Sequence, residues 1–219
     1  MATTIGIVGK SGSGKSTSGK ALNPEETYWI NCDKKSLPFK GWKSAYNAEK
    51  KNYYKGSDLA MISKILSGIS DKRSEIKVII IDTVNAIMLD DEMSKIKQKG
   101  YDKWTDLAAG IYELIQLSNS LRDDLIIIMM FHQVEYRDDM TGQVERRILT
   151  NGRKLEKIQL ETKLPIVLYS VVEGTGGNNQ YYFETQANNS TGKSPAGMFE
   201  AFKIDNNLRA VIEAVKNYE

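Results

Sequence analysis

Residues 9 to 17 read Gly9-Lys10-Ser11-Gly12-Ser13-Gly14-Lys15-Ser16-Thr17, which is the G-x-x-x-x-G-K-S spacing of a phosphate-cradling loop. The residue types explain the chemistry. Gly9, Gly12 and Gly14 have no side chain to obstruct the backbone, so successive N–H groups can point at phosphate oxygens. Lys15 adds a mobile positive charge for the β- and γ-phosphates, and the Ser16 hydroxyl is placed to ligate Mg²⁺. The short apolar run Ile5 to Val8 just before the loop reads as a buried strand. A helix expected from about Lys15 to Leu22 aims its N-terminus at the same anion. ATP and Mg²⁺ are the cofactors this pattern implies.

Two acids stand where such a loop needs them. Val78-Ile79-Ile80-Ile81-Asp82-Thr83 is a β-branched run ending in a carboxylate, the pattern of a strand buried on both faces whose terminal Asp82 reaches Mg²⁺ through water. Tyr28-Trp29-Ile30-Asn31-Cys32 is a second apolar run and ends in Asp33. An acid at the tip of a strand beside the loop's own strand would face the γ-phosphate and orient the attacking water. A third strand, Leu125 to Phe131, ends in His132-Gln133, and polar residues at the carboxyl end of a central strand lie where open α/β sheets bind ligands. Gln133 is expected to sense the γ-phosphate and pass its presence into the next loop. His132, the one histidine, reads either as a catalytic group or, more in keeping with its place, as a hydrogen-bonded strand-end residue.

Basic and aromatic residues cluster in two places. Residues 134–137 and 144–148 flank a turn at Thr141-Gly142 and read as a hairpin. Its Tyr136, Arg137, Arg146 and Arg147, with Arg153 and Lys154 after it, can grip phosphates and bases; the alternative is a surface hairpin whose charge is balanced by Glu135, Asp138, Asp139 and Glu145. Residues 34 to 55 hold seven lysines against one acid, interleaved with Phe39, Trp42, Tyr46, Tyr53 and Tyr54. That mixture fits either a nucleic-acid surface or an irregular excursion whose aromatics pack underneath.

The elements that must position these residues alternate as strand and helix. Helices are expected from Ser57 or Asp58 to about residue 71, from about Thr105 to Leu121, around Leu155 to Glu161, and after Asp205 as cap, while residues 84 to 105 read as a solvated helix or loop. Ile166 to Val172 and Gln180 to Thr185 form a late antiparallel pair around a Gly/Asn turn. The 219 residues fit a single α/β domain, with 41% hydrophobic and 26% charged residues. No run approaches the ~18 apolar residues of a membrane span. One cysteine, Cys32, rules out an intramolecular disulfide and suits a reducing cytoplasm, and with the strand beginning almost at once no signal peptide is expected. The formal charge of +2 is too small to argue for nucleic acid without local patches.

In this order the parts resemble the RecA-type recombinase core. Ile30-Asn31-Cys32-Asp33 occupies the place of that family's Ile-Asp-x-Glu, Asp82-Thr83-Val84-Asn85-Ala86 looks like its Asp-Ser-Val-x-Ala, and Phe131-His132-Gln133 like its Asn-Gln pair, with His132 a departure. The resemblance implies a P-loop NTPase with a RecA-like three-layer sandwich, a mostly parallel central sheet and a late antiparallel hairpin. It implies ATP hydrolysis, with Asp33 orienting water and ATP held between self-associated subunits. By position, the segment 134 to 154 inherits the family's DNA-binding loop, and Lys193 in Gly192-Lys193-Ser194-Pro195 resembles lysines that reach a neighbour's γ-phosphate. Short cores of this kind look most like phage-encoded single-strand annealing ATPases of homologous recombination, which meet single-strand-binding and replication proteins. Other classes open to a phosphate loop are a helicase-loading switch and a small-molecule or nucleotide kinase. Against the kinase, the late segment 186–199 holds one lysine and no arginine.

Overall fold

The structure, a computed structural model, describes residues 1–95, 102–137, 140, 142–150 and 159–218, with the backbone alone over 102–108. Along the chain the strands are β1 (Thr3–Gly9), β2 (Thr27–Asn31), β3 (Tyr53–Lys55), β4 (Val78–Asp82), β5 (Ile126–Arg137), β6 (Val144–Ile148), β7 (Ile166–Glu173), β8 (Gln180–Glu184) and β9 (Lys203–Asp205). The helices are α1 (Trp42–Ala45), α2 (Leu59–Lys72), α3 (Val84–Ser94), α4 (Asp102–Ser120) and α5 (Leu208–Tyr218).

The strands form one sheet in the order β3-β2-β4-β5-β1-β7-β8-β9, with β6 paired to the outer part of β5. From β3 to β7 every pairing is parallel, and β8 and β9 close the edge antiparallel. The apolar strands are doubly buried because alternate residues serve opposite layers. Ile79, Ile81, Ile127 and Met129 pack with Ile62 and Leu66 of α2, Ile87 of α3 and Ile111 of α4. Val78, Ile80, Ile126, Ile128 and Met130 face the other way, onto Leu208, Val211 and Val215 of α5 and onto Leu37 and Tyr46. Helix, sheet and helix thus make an α/β three-layer sandwich with a mostly parallel sheet and late antiparallel strands.

Several local expectations are corrected. The strand ending before Asp33 is not beside the loop's strand, because β4 and β5 lie between β2 and β1; strand order is a tertiary choice that spacing along the chain does not reveal. The segment after the phosphate loop is a 3-10 helix, Ser16–Ala21, short because Ser, Thr and Gly are weak helix formers and Pro24 follows. Asp58 rather than Ser57 caps α2, accepting from the Met61 amide at 2.7 Å. Asn207 rather than Asp205 caps α5, accepting from the Arg209 amide at 3.0 Å. Residues 84–94 are a helix with Val84, Asn85, Ile87 and Met88 buried. In the excursion, Phe39 and Tyr46 pack on the buried Trp29, with ring centroids 5.8 and 5.3 Å away. The expected helix at Leu155 to Glu161 falls mainly outside the described residues.

Candidate functional site

The turn from β1 into the 3-10 helix shapes the loop. Gly12 and Gly14 have φ of 80° and 92°, a left-handed region that costs other residues energy. Gly14 is also closed in, since a Cβ there would lie 2.9 Å from the Tyr181 ring. Lys15 is buried, and its Nζ donates to the carbonyls of Gly9 and Lys10, both at 2.8 Å. Burial lowers the Lys15 ammonium to about 8, against the opposing pull of Asp82 and Asp33. Lys10 turns outward and pairs with Glu135 on β5 at 2.7 Å.

The two acids meet at the far side of the same cleft. Asp82 ends β4 and is 4% exposed. Burial raises its carboxyl to about 6, Asp33 adds to the rise, and the Ser16 hydroxyl and Lys15 oppose it. Asp33 accepts a hydrogen bond from Thr83 Oγ1 at 3.1 Å and lies 3.5 Å from Lys35 Nζ. Although β2 is three places from β1, Asp33 shares the cleft with Lys15, its amide bonding the Asp82 carbonyl at 3.3 Å: a cavity of 590 Å³ is lined by Ser11 to Thr17, Asp33, Lys35, Asp82, Thr83, His132, Tyr181 and Asn206 among others.

The donor set fits Mg²⁺ held with a nucleotide. Among the described residues no group of three or more His, Cys, Asp or Glu side chains forms a metal cage. Mg²⁺ needs none, since it commonly takes one or two carboxylates, substrate phosphates and waters. Ser16 and Asp82 would hold it, and the buried ammonium of Lys15, with no carboxylate at ion-pair distance among the described residues, is a charge awaiting an anion.

His132, not Gln133, lines the cleft. β5 does not stop at Phe131. It runs through Arg137, so Gln133 is already in the hairpin arm, paired with Ile148. Burial holds the His132 imidazole below its usual value, with Lys15 acting in the same direction. Asn85, which motif reading passed over, bonds the His132 amide and the Leu149 carbonyl, both at 2.7 Å. Ser170 and Asn206 were also invisible in the sequence: Ser170 Oγ donates to the Ser13 carbonyl at 2.6 Å and accepts from Asn206 Nδ2 at 2.9 Å. A hydrogen-bonding residue on an otherwise apolar strand was the only available signal for Ser170.

The basic hairpin divides. Arg146 turns inward to Glu184 at 2.6 Å, with its guanidinium over the Tyr169 ring at 5.1 Å. Arg147 pairs with Glu145 and lies 4.7 Å from the Tyr136 ring centroid. Tyr136 and Arg137 are exposed, while Arg153 and Lys154 lie outside the described residues. Lys193 is absent from the cleft lining. Its backbone bridges Val167 through bonds of 2.8 and 2.9 Å, and burial lowers its ammonium.

A family model described as AAA domain matches residues 1–195. No curated protein matches. Among solved structures, a KaiC-like protein from the hyperthermophilic archaeon Pyrococcus horikoshii OT3 aligns at 12% identity and a TM-score of 0.48, covering 83% of this chain and 76% of that one. The flagellar accessory protein FlaH from Methanocaldococcus jannaschii aligns at 16% identity and a TM-score of 0.42, again over 83% and 76%.

Proposed function

The chain belongs to the AAA domain family, and from that premise we propose that it is a Mg²⁺-dependent ATPase that works on single-stranded DNA in homologous recombination or annealing. The observation that carries the nucleotide part is the convergence of Lys15, Ser16, Asp82 and Asp33 on one cleft. The loop amides and Lys15 would receive the β- and γ-phosphates, and Mg²⁺ held by Ser16 and Asp82 would supply charge neutralisation there. Asp33 orients the attacking water. Asp82, with Ser16, supplies the metal's protein ligands. ATP would sit between self-associated subunits, with Lys193 reaching a neighbour's γ-phosphate.

The DNA part is supported by position. The arm that carries Tyr136 and Arg137 is the direct continuation of a strand whose His132 lines the cleft, and Lys10 ties the phosphate loop to Glu135 on that arm. Nucleotide state and arm are therefore neighbours, the arrangement a switch needs. Steady-state ATP turnover with and without single-stranded oligonucleotide is the test. Turnover abolished by Lys15→Ala and stimulated by the oligonucleotide is the expected result. Turnover that ignores the oligonucleotide defeats the DNA part and leaves the ATPase standing.

A further inference from the structure

We propose that Ser170 and Asn206 are positioning residues that aim the Gly14 amide of the phosphate loop into the cleft. The proposal rests on the nucleotide-binding reading above. Ser170 lies in the carboxyl half of β7, buried, and its hydroxyl donates to the Ser13 carbonyl at 2.6 Å. The same oxygen accepts from Asn206 Nδ2 at 2.9 Å. A serine hydroxyl has one hydrogen to give. With a donor already on its oxygen, that hydrogen is committed to Ser13.

The consequence follows from peptide geometry. In a planar trans peptide the carbonyl and the following N–H point to opposite sides, and among the described residues the cis bond is at Asp82-Thr83 rather than here. Pinning the Ser13 carbonyl against β7 turns the Gly14 N–H the other way, toward the cavity that Ser13, Gly14 and Lys15 line. Packing keeps the peptide there. A Cβ on Gly9 would lie 2.7 Å from the Ser170 carbonyl oxygen, and one on Gly14 would lie 3.0 Å from Asn206 Oδ1. The loop is thus braced on the β7 side and open on the other. An amide fixed before the anion arrives loses no orientational freedom when it binds, and its hydrogen bond to a charged phosphate oxygen is of the strong kind.

The test compares Ser170→Ala, Ser170→Thr, Asn206→Ala and the Ser170→Ala/Asn206→Ala pair, reading affinity for fluorescent ATP and ADP analogues, kcat at saturating ATP, and thermal midpoint. Ser170→Ala is expected to weaken both nucleotides about tenfold, the loss of one charge-assisted hydrogen bond, with kcat close to wild type. Ser170→Thr keeps the hydroxyl and restores affinity. Asn206→Ala gives a smaller loss that vanishes in the Ser170→Ala background, as expected of residues acting in series. Wild-type affinity in Ser170→Ala, a loss confined to kcat or to thermal midpoint, or fully additive losses in the pair would each overturn the proposal. Because Asn206 sits at a half-buried corner, its variant keeps the test open if Ser170→Ala does not fold: unchanged nucleotide affinity in Asn206→Ala then overturns it, and weakened affinity that Asn206→Gln recovers supports it. Wild-type protein that takes up neither nucleotide defeats the functional reading itself, and that result is distinct from all of these.

Discussion

Asn85 holds His132 by its backbone: the Asn85 Oδ1 accepts from the His132 amide at 2.7 Å, and the Asn85 Nδ2 donates to the Leu149 carbonyl at 2.7 Å. Leu149 in turn donates its amide to the His132 carbonyl at 2.8 Å. One buried side chain, three residues beyond Asp82, thereby fastens both strands at the root of the hairpin to the helix that follows the metal-facing strand. Asn85→Ala removes the side-chain partner of a half-buried amide and of a carbonyl at the hairpin root, and is expected to cost about 1–2 kcal/mol. Hydrogen exchange should quicken at His132 and Leu149 more than in α2. An equal change across both regions would show that the contact is not local.

The two shifted groups of the cleft predict a bell-shaped pH dependence of kcat/KM. In the proposed ATPase, Asp82 would be ionised to take the metal and Lys15 protonated to meet the phosphates. With values of about 6 and about 8 in the free protein, activity should fall below the first and above the second. The sign for stability is opposite for the acid. Asp82 lies above its unfolded value, so its contribution to folding is full below that value and is lost as pH rises through about 6. Mg²⁺ with nucleotide should therefore raise the melting temperature more at pH 7 than at pH 5. A flat profile between pH 5 and 9 would rule out this pairing of roles.

Asp82→Asn removes the charge that the proposed metal would use while keeping the shape of the side chain. Nucleotide turnover should drop by at least about a hundredfold, in line with losing electrostatic stabilisation at a developing charge. The free protein should unfold at the same or a higher temperature at pH 8, since a buried carboxylate that burial disfavours is gone. Titrating Mg²⁺ against turnover and recording a melting curve checks both halves.

Arg146 and Arg147 should behave differently. Arg146→Ala strands Glu184, whose side chain is 6% exposed, and breaking a buried pair in this way costs about 3–5 kcal/mol. Arg147→Ala removes an ion pair whose partners are about one-third exposed, worth at most about 1 kcal/mol. Any loss of DNA binding in Arg147→Ala can then be read free of unfolding, whereas a loss in Arg146→Ala cannot. Urea denaturation of the two variants decides the ranking.

The legible part of this site is local in the chain. The phosphate loop declares itself because eight of its nine positions are Gly, Ser or Lys, and Asp82 because a run of β-branched residues must end somewhere and ends in an acid. Asp33 reaches the cleft although β2 neighbours β4 and not β1, a placement that spacing along the chain does not carry. Gln133 looked like a strand end because the run of large apolar residues stops at Phe131, yet backbone pairing with β6 carries β5 on to Arg137. Asn85, Ser170 and Asn206 matter through partners 47, 157 and 36 residues away respectively. No periodicity or motif within a window encodes such partners.

The twelve-residue length of β5 has a mechanical meaning. From His132 to Arg137 the strand spans roughly 17 Å at about 3.3 Å per residue, and its inner half is wedged between β1 and β4, which deliver Lys15 and Asp82 from opposite sides. The outer end is therefore joined by one continuous strand to the seam between the halves that carry Lys15 and Asp82. A contact made at the tip lies on the same backbone element that separates the cation from the acid.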